Sequence, residues 1–116
     1  MPLIKVQTSV ADTSTVNVDG LLKSLSSGLA SHLGKPESYV MTAFESGVPM
    51  TFAGTSEPVC YVEIKSVGTM GSDKTGAMST AFCQELSDAL GVEKGRIYIE
   101  FADSAGYMWG WNGRTF

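Results

Sequence analysis

The amino-acid sequence predicts an α+β fold: two β-α-β units in tandem, giving a four-stranded mixed sheet with two helices on one face. Three observations lead there. Two segments carry apolar residues at helical spacing, and each ends on a Leu-Gly pair, Leu33-Gly34 and Leu90-Gly91. Strand-forming runs flank both segments. Shifting the first such run, 2–8, by the offset between the two Leu-Gly pairs lands it on 59–65, inside another strand-forming run. Right-handed crossovers then place both helices on the same side of the sheet. At 116 residues the chain reads as one domain, 1–116, with pseudo-repeats at about 2–57 and 58–116.

The elements follow in order. PLIKVQT, residues 2–8, alternates, with Ile4, Val6 and Thr8 on one face and Leu3, Lys5 and Gln7 on the other. ADTSTVNVDG reads as a loop, with Asp19 near a helix start. In the helix that follows, Val18, Leu22, Leu25, Leu29 and Leu33 form a stripe, and Lys23, Ser24, Ser27 and Ser31 turn outward. Gly28 lowers its helix propensity. Gly34 suits a left-handed cap, and Pro36 forbids continuation. Residues 39–45 read as the second strand, SGVPM as a turn, and MTFAG as a short run that pairs at an edge.

PVCYVEIKSV, residues 58–67, is a long strand of near-continuous β formers. GTMGSDKTG reads as a loop. Residues 77–90 form the second helix, with Met78, Phe82, Leu86, Ala89 and Leu90 on its apolar face and Gly91 as its cap. Residues 96–102, RIYIEFA, are the last strong strand, and the tail DSAGYMWGWNGRTF is aromatic and glycine-rich. This layout leaves one sheet face uncovered. A sheet this apolar buries that face most cheaply by self-association, so a homo-oligomer is expected.

Composition narrows the function. The chain is 43% apolar and 17% charged, ordinary for a globular protein. Net charge is −4 with no Lys/Arg run, which argues against nucleic acid and against a polybasic membrane surface. No apolar run approaches the ~20 residues that span a bilayer. The first residues lack a charged region followed by an apolar one, so a cytoplasmic location is expected. Cys60 and Cys83 read as reduced, packed thiols. With His32 as the only histidine, and expected to be exposed at a helix end, no metal site is expected.

Six motifs in order carry a resemblance over the whole chain: MP at the start, LGKP at 33–36, SEP at 56–58, SVGTMG at 66–71, RIYIEFAD at 96–103 and GWNGRTF at 110–116. Together they resemble the macrophage migration inhibitory factor family of the tautomerase superfamily. The resemblance implies a homotrimeric barrel whose three sheets enclose a solvent-lined channel, with active sites between adjacent subunits. It implies no cofactor, and a small-molecule substrate.

The resemblance also assigns roles. Read alone, Pro2 is a residue tolerated at a strand start. In the family its counterpart is the catalytic base, which requires loss of Met1 so that the ring nitrogen becomes a secondary amine. A base works best with a pKa near the working pH, and an apolar pocket plus a nearby cation such as Lys35 lowers an amine toward it. Lys35 alone is a favourable charge at a helix C-terminus; the family's lysine there binds the substrate carboxylate. Val67 alone is a core residue, and its counterpart offers a backbone N–H to substrate oxygen. Tyr98 and Glu100 share one sheet face, and the resemblance sends both into a neighbouring subunit's pocket. Many members place asparagine at the position of Glu100. An ionised carboxylate cannot donate a hydrogen bond and repels an anionic substrate, which weighs against dopachrome-type activity. Trp109, Trp111 and Phe116 correspond to the apolar wall of the pocket, and Trp109 replaces a smaller aliphatic residue. The C-x-x-C of the best-known member is absent, since Cys60 has no partner two residues on.

Two functions follow from these residues. One is a phenylpyruvate tautomerase-like isomerase, a cofactor-free keto–enol tautomerase for phenylpyruvate-like aromatic 2-keto acids. The alternative is a cytokine-like receptor-binding protein with little or no turnover. A generic ferredoxin-like ligand-binding domain is a third reading, and it needs no free Pro2.

Overall fold

The computed structural model describes residues Met1–Phe116. Its elements are β1 (Leu3–Thr8), α1 (Val18–Leu33), β2 (Met41–Glu45), β3 (Cys60–Val67), α2 (Ser72–Leu90), β4 (Ile97–Ser104) and a terminal hairpin, β5 (Gly110–Trp111) with β6 (Arg114–Thr115). The main sheet runs β2-β1-β3-β4. β1 pairs parallel with β2, β3 parallel with β4, and the two halves join through antiparallel β1 and β3. This is the tandem β-α-β layout that the spacing predicts.

The core lies between the sheet and the helices. Ile4 and Val6 of β1, with Val62 and Ile64 of β3, meet Leu21, Leu25, Leu29 and Leu33 of α1 and Met78, Phe82, Leu86 and Leu90 of α2. On α1 the buried stripe therefore runs through Leu21, one residue before the predicted Leu22; Val18 and Leu22 flank it, half-buried. Gly28 has a packing reason. A Cβ there would stand 3.2 Å from the Phe82 ring, so glycine lets α2 approach α1. His32 is half-buried rather than exposed, with its ring edge-on to Phe82 at 5.6 Å.

The halves align with one adjustment. The offset that brings Gly34 onto Gly91 falls short for the strands by a single position. The core-facing rows of β1 and β3 match as Ile4 with Val62, Val6 with Ile64 and Thr8 with Ser66. The helix offset would instead place Ile4 on Tyr61 and turn every side chain to the other face.

The uncovered face differs from the expectation. Leu3, Met41 and Tyr98 lie there among Lys5, Gln7, Glu45, Glu63, Lys65 and Glu100. Ala43, Tyr61 and Ala102 share it too, so it is a mixed surface, and a homo-oligomer that covers it buries charged side chains along with apolar ones.

Several boundaries shift. Glu37–Tyr39 form a 3-10 turn, so β2 starts at Met41. β3 starts at Cys60. The segment MTFAG makes no edge strand. Phe52 and Thr55 form a single bridge around a turn with positive φ at Ala53 and Gly54. Arg96 holds that loop, donating to the carbonyls of Phe52, Pro58 and Glu57 at 2.9–3.1 Å. No helix is long and apolar enough to cross a membrane.

Candidate functional site

Pro2 lies where three elements meet. Its side chain is fully buried, and its carbonyl accepts the Met41 N–H at 3.0 Å, tying the start of β1 to the start of β2. Proline suits this place, just ahead of the first residue of β1, where the ladder needs no donor. On the other side, β1 runs antiparallel to β3, so the beginning of β1 stands beside the end of β3 at Ser66 and Val67.

Lys35 reaches the same point from α1. Gly34 adopts the left-handed conformation (φ 64°), and the helix closes with Gly34 N–H on Ser31 O and Lys35 N–H on Ala30 O at 3.0 Å. This closure aims the Lys35 side chain at the end of β3. Its Nζ donates to Ser66 Oγ at 2.7 Å and to the Val67 carbonyl. Burial, with Lys74 adding like-charge repulsion, lowers the Lys35 pKa from its ordinary value. The Met1 amine is lowered too, first by burial and then by Lys35.

These groups line a cleft of about 290 Å³ formed by Met1, Lys35, Pro36, Tyr39, Val67 and Phe116. A second cleft of about 280 Å³ adjoins it, lined by Pro2, Tyr39, Trp109 and Trp111 among others. Tyr39 and Met1 border both. The aromatic tail closes over this region: Tyr39 meets Trp111 edge-on at 5.6 Å, and Trp111 stacks on Phe116 at 5.7 Å. The hairpin that carries Trp111 turns at Asn112-Gly113, both with positive φ, the signature of a tight two-residue turn. The tail is less buried than its composition suggests, for Trp111 and Phe116 keep substantial exposure.

Six predicted residues thus converge: Pro2, Lys35, Val67, Trp109, Trp111 and Phe116. Val67 contributes its carbonyl to Lys35, a contact the sequence did not suggest. Tyr98 and Glu100 do not join them within one chain. Tyr98 pairs with Tyr61, which pairs with Gln7, at the far end of the strands from Pro2. That is about 17 Å along the strands and two strand spacings across. Tyr98 is 65% exposed and rests against Phe52 at 4.9 Å. Glu100 accepts the Tyr61 hydroxyl at 2.6 Å, and Glu63 takes the same hydroxyl at 3.2 Å. These bonds, Glu100 first, raise the Tyr61 pKa.

Site residues that sequence reasoning missed are Ser66, Pro36 and Tyr39. LGKPESY places Pro36 and Tyr39 beside Lys35. Ser66 interrupts the apolar core-facing row Cys60, Val62, Ile64, and that break was its only signal. Other depressions lie elsewhere. The widest, about 730 Å³, runs between α1 and α2 around Asn17, Ser24 and Glu85, far from Pro2 in the fold. Cys60 and Cys83 are free thiols. Burial, with Cys83 adding, pushes the Cys60 thiol up to about 12.

Comparison with known proteins identifies the family. The family model described as macrophage migration inhibitory factor matches residues 1–116. A macrophage migration inhibitory factor homolog of Trichuris trichiura is 39% identical, over 100% of both chains. The rat protein, macrophage migration inhibitory factor of Rattus norvegicus, is 35% identical over 100% of this chain and 99% of its own. The crystal structure of a homologue from Prochlorococcus marinus superimposes with a TM-score of 0.91 at 49% identity, covering 98% of each chain. The chain belongs to the macrophage migration inhibitory factor family.

Proposed function

We propose that the chain is a cofactor-free keto–enol tautomerase acting on phenylpyruvate-like aromatic 2-keto acids, with the Pro2 nitrogen as general base once Met1 is removed. The observation that carries this reading is the convergence of a buried Pro2 with Lys35 and the tail aromatics on two adjoining clefts that share Met1 and Tyr39. Family membership supports a tautomerase-superfamily activity; an ammonium for a carboxylate and aromatic walls for a ring, Lys35 with Trp109, Trp111 and Phe116, support the substrate class.

In the keto-to-enol direction, the neutral ring nitrogen takes a proton from the carbon beside the carbonyl. The C–H electron pair becomes the enolate double bond, and charge collects on oxygen. The proton then passes from nitrogen to that oxygen. Two features favour a neutral nitrogen. The pocket desolvates it, and Lys35 repels its proton, the same two influences that act on the Met1 amine. Lys35 also pairs with the substrate carboxylate, and Trp109, Trp111 and Phe116 hold the ring. The Val67 backbone N–H meets the developing oxygen charge, a fixed donor needing no reorganisation.

Tyr98 and Glu100 enter this scheme only from a neighbouring copy, because their own chain places them at the opposite end of the sheet. The reading therefore includes a homotrimer with shared sites. The Tyr61 hydroxyl on Glu100 offsets part of the carboxylate's repulsion toward an anionic substrate.

The test has two steps. Intact mass shows whether Met1 is gone. Enol–keto turnover is then followed on the processed chain and on Pro2→Gly. Loss of about 10²–10⁴-fold in Pro2→Gly supports the base. Equal background rates for both proteins overturn it and favour the receptor-binding alternative.

A further inference from the structure

Ser66 is a polar side chain in an apolar row. β3 turns Cys60, Val62, Ile64 and Ser66 toward the helices, and Ser66 is 1% exposed. A hydroxyl buried this fully needs partners. It has two. Ser66 Oγ accepts from Lys35 Nζ at 2.7 Å and donates to the Val67 carbonyl at 3.3 Å. The Val67 carbonyl also accepts from Lys35 Nζ, so the three groups form a closed triangle.

The other half of the fold supplies a control. Thr8 ends the core-facing row of β1 as Ser66 ends that of β3. The Thr8 hydroxyl bonds only to main chain, donating to Val59 O at 2.9 Å and accepting from Val10 N at 3.2 Å. Thr8 thus joins strand to loop. Ser66 instead spends its acceptor on a side-chain ammonium.

An ammonium carries three donors. Ser66 and Val67 take two of them. One N–H remains, and Lys35 lines the 290 Å³ cleft beside Pro2. A lysine stem left free would sweep many rotamers, and holding it costs entropy at each binding event.

We propose that Ser66 is the positioning residue for Lys35, holding the ammonium so that a single N–H faces the cleft and selects ligands by one carboxylate oxygen. This rests on the reading of Lys35 as the carboxylate partner. Ser66 touches no substrate; it acts through Lys35. The pairing is one-pointed, unlike the two-pronged grip of a guanidinium.

Equilibrium binding tests it without requiring turnover. The probes are phenylacetate and phenylacetamide, which share a ring and differ in charge. Their dissociation constants are measured on the processed wild type, Ser66→Ala and Lys35→Ala. The acid-to-amide preference is the readout, because a partly unfolded sample weakens both ligands alike. Wild type should prefer the acid, Lys35→Ala should lose the preference, and Ser66→Ala should lose about tenfold of it. Amide binding should change much less than acid binding across the three, because the amide carbonyl accepts an N–H but carries no charge. Full preference retained in Ser66→Ala overturns the positioning role and leaves the function standing. Equal acid and amide binding in wild type overturns the Lys35 reading, and the Ser66 role with it.

Discussion

The two halves of the molecule end their helices alike and then diverge. Gly34 and Gly91 both cap in the left-handed conformation, with φ of 64° and 71°. The next residue is Lys35 in the first half and Val92 in the second. Val92 is 1% exposed and joins the core, whereas Lys35 crosses to Ser66 and lines a cleft. The strand positions diverge in parallel. Matching the core-facing rows of β1 and β3 puts Pro2 on Cys60, and Thr8 on Ser66. One end of the central strand pair therefore gathers a ring nitrogen, an ammonium and a hydroxyl. The other end gathers a thiol, an isopropyl group and a hydroxyl bonded to main chain. The same scaffold builds a candidate site at one end and a sealed core at the other, and a few side chains decide which.

That contrast can be broken from either side. The largest effect should come from Val92→Lys, which puts an ammonium where Val92 packs with no partner in view. Denaturant unfolding should register a loss of about 3–5 kcal/mol. The reciprocal change, Lys35→Val, removes a partly exposed charge and should cost less than about 1 kcal/mol of stability. Its effect should appear in KM for an aromatic 2-keto acid, which should rise about tenfold or more as the carboxylate loses its partner. Gly34→Ala and Gly91→Ala sharpen the comparison further. Each forces an alanine into left-handed backbone and should cost about 1–2 kcal/mol. Only Gly34→Ala should also raise KM, since its strain tilts the segment that aims Lys35. The smallest effect concerns the thiols. At pH 8 Cys60 should resist alkylation in the folded protein, being buried with its thiol pushed up to about 12. Cys83, half-buried against the Lys94 carbonyl, should react faster under mass-spectrometric readout.

Much of the fold was legible where apolar period and capping glycines agreed. The stripe of α2 from Met78 to Leu90 and both left-handed caps appear where the spacing places them. The opening of α2, Ser72 to Gly76, escaped because none of it is buried. It carries no apolar period, and its glycine, serine and aspartate read as a loop. The terminal hairpin escaped although Asn112-Gly113 is a strong turn signal, because its strands are only two residues long. The mismatch in register between strands and helices was invisible to a comparison anchored on helix ends.

The candidate site divides the same way. Pro2, Lys35 and Val67 were legible through family motifs, not through local physics, which reads each as strand start, helix-end charge and core. Ser66 was hidden because its role depends on a side chain 31 residues away. Tyr98 and Glu100 were legible as one face of a strand, but only the register of the full sheet reveals that they lie at the far end from Pro2.

The proposed chemistry depends on the charge state of one nitrogen, and a titration of it is the most direct measurement. In the processed chain, the ¹⁵N resonance of Pro2 should move with a midpoint clearly below the range of about 8 usual for chain termini. Lys35→Ala should shift that midpoint upward, because a repelling charge is gone. A midpoint at or above about 8, unmoved by Lys35→Ala, would mean the nitrogen is protonated at neutral pH and cannot serve as the base.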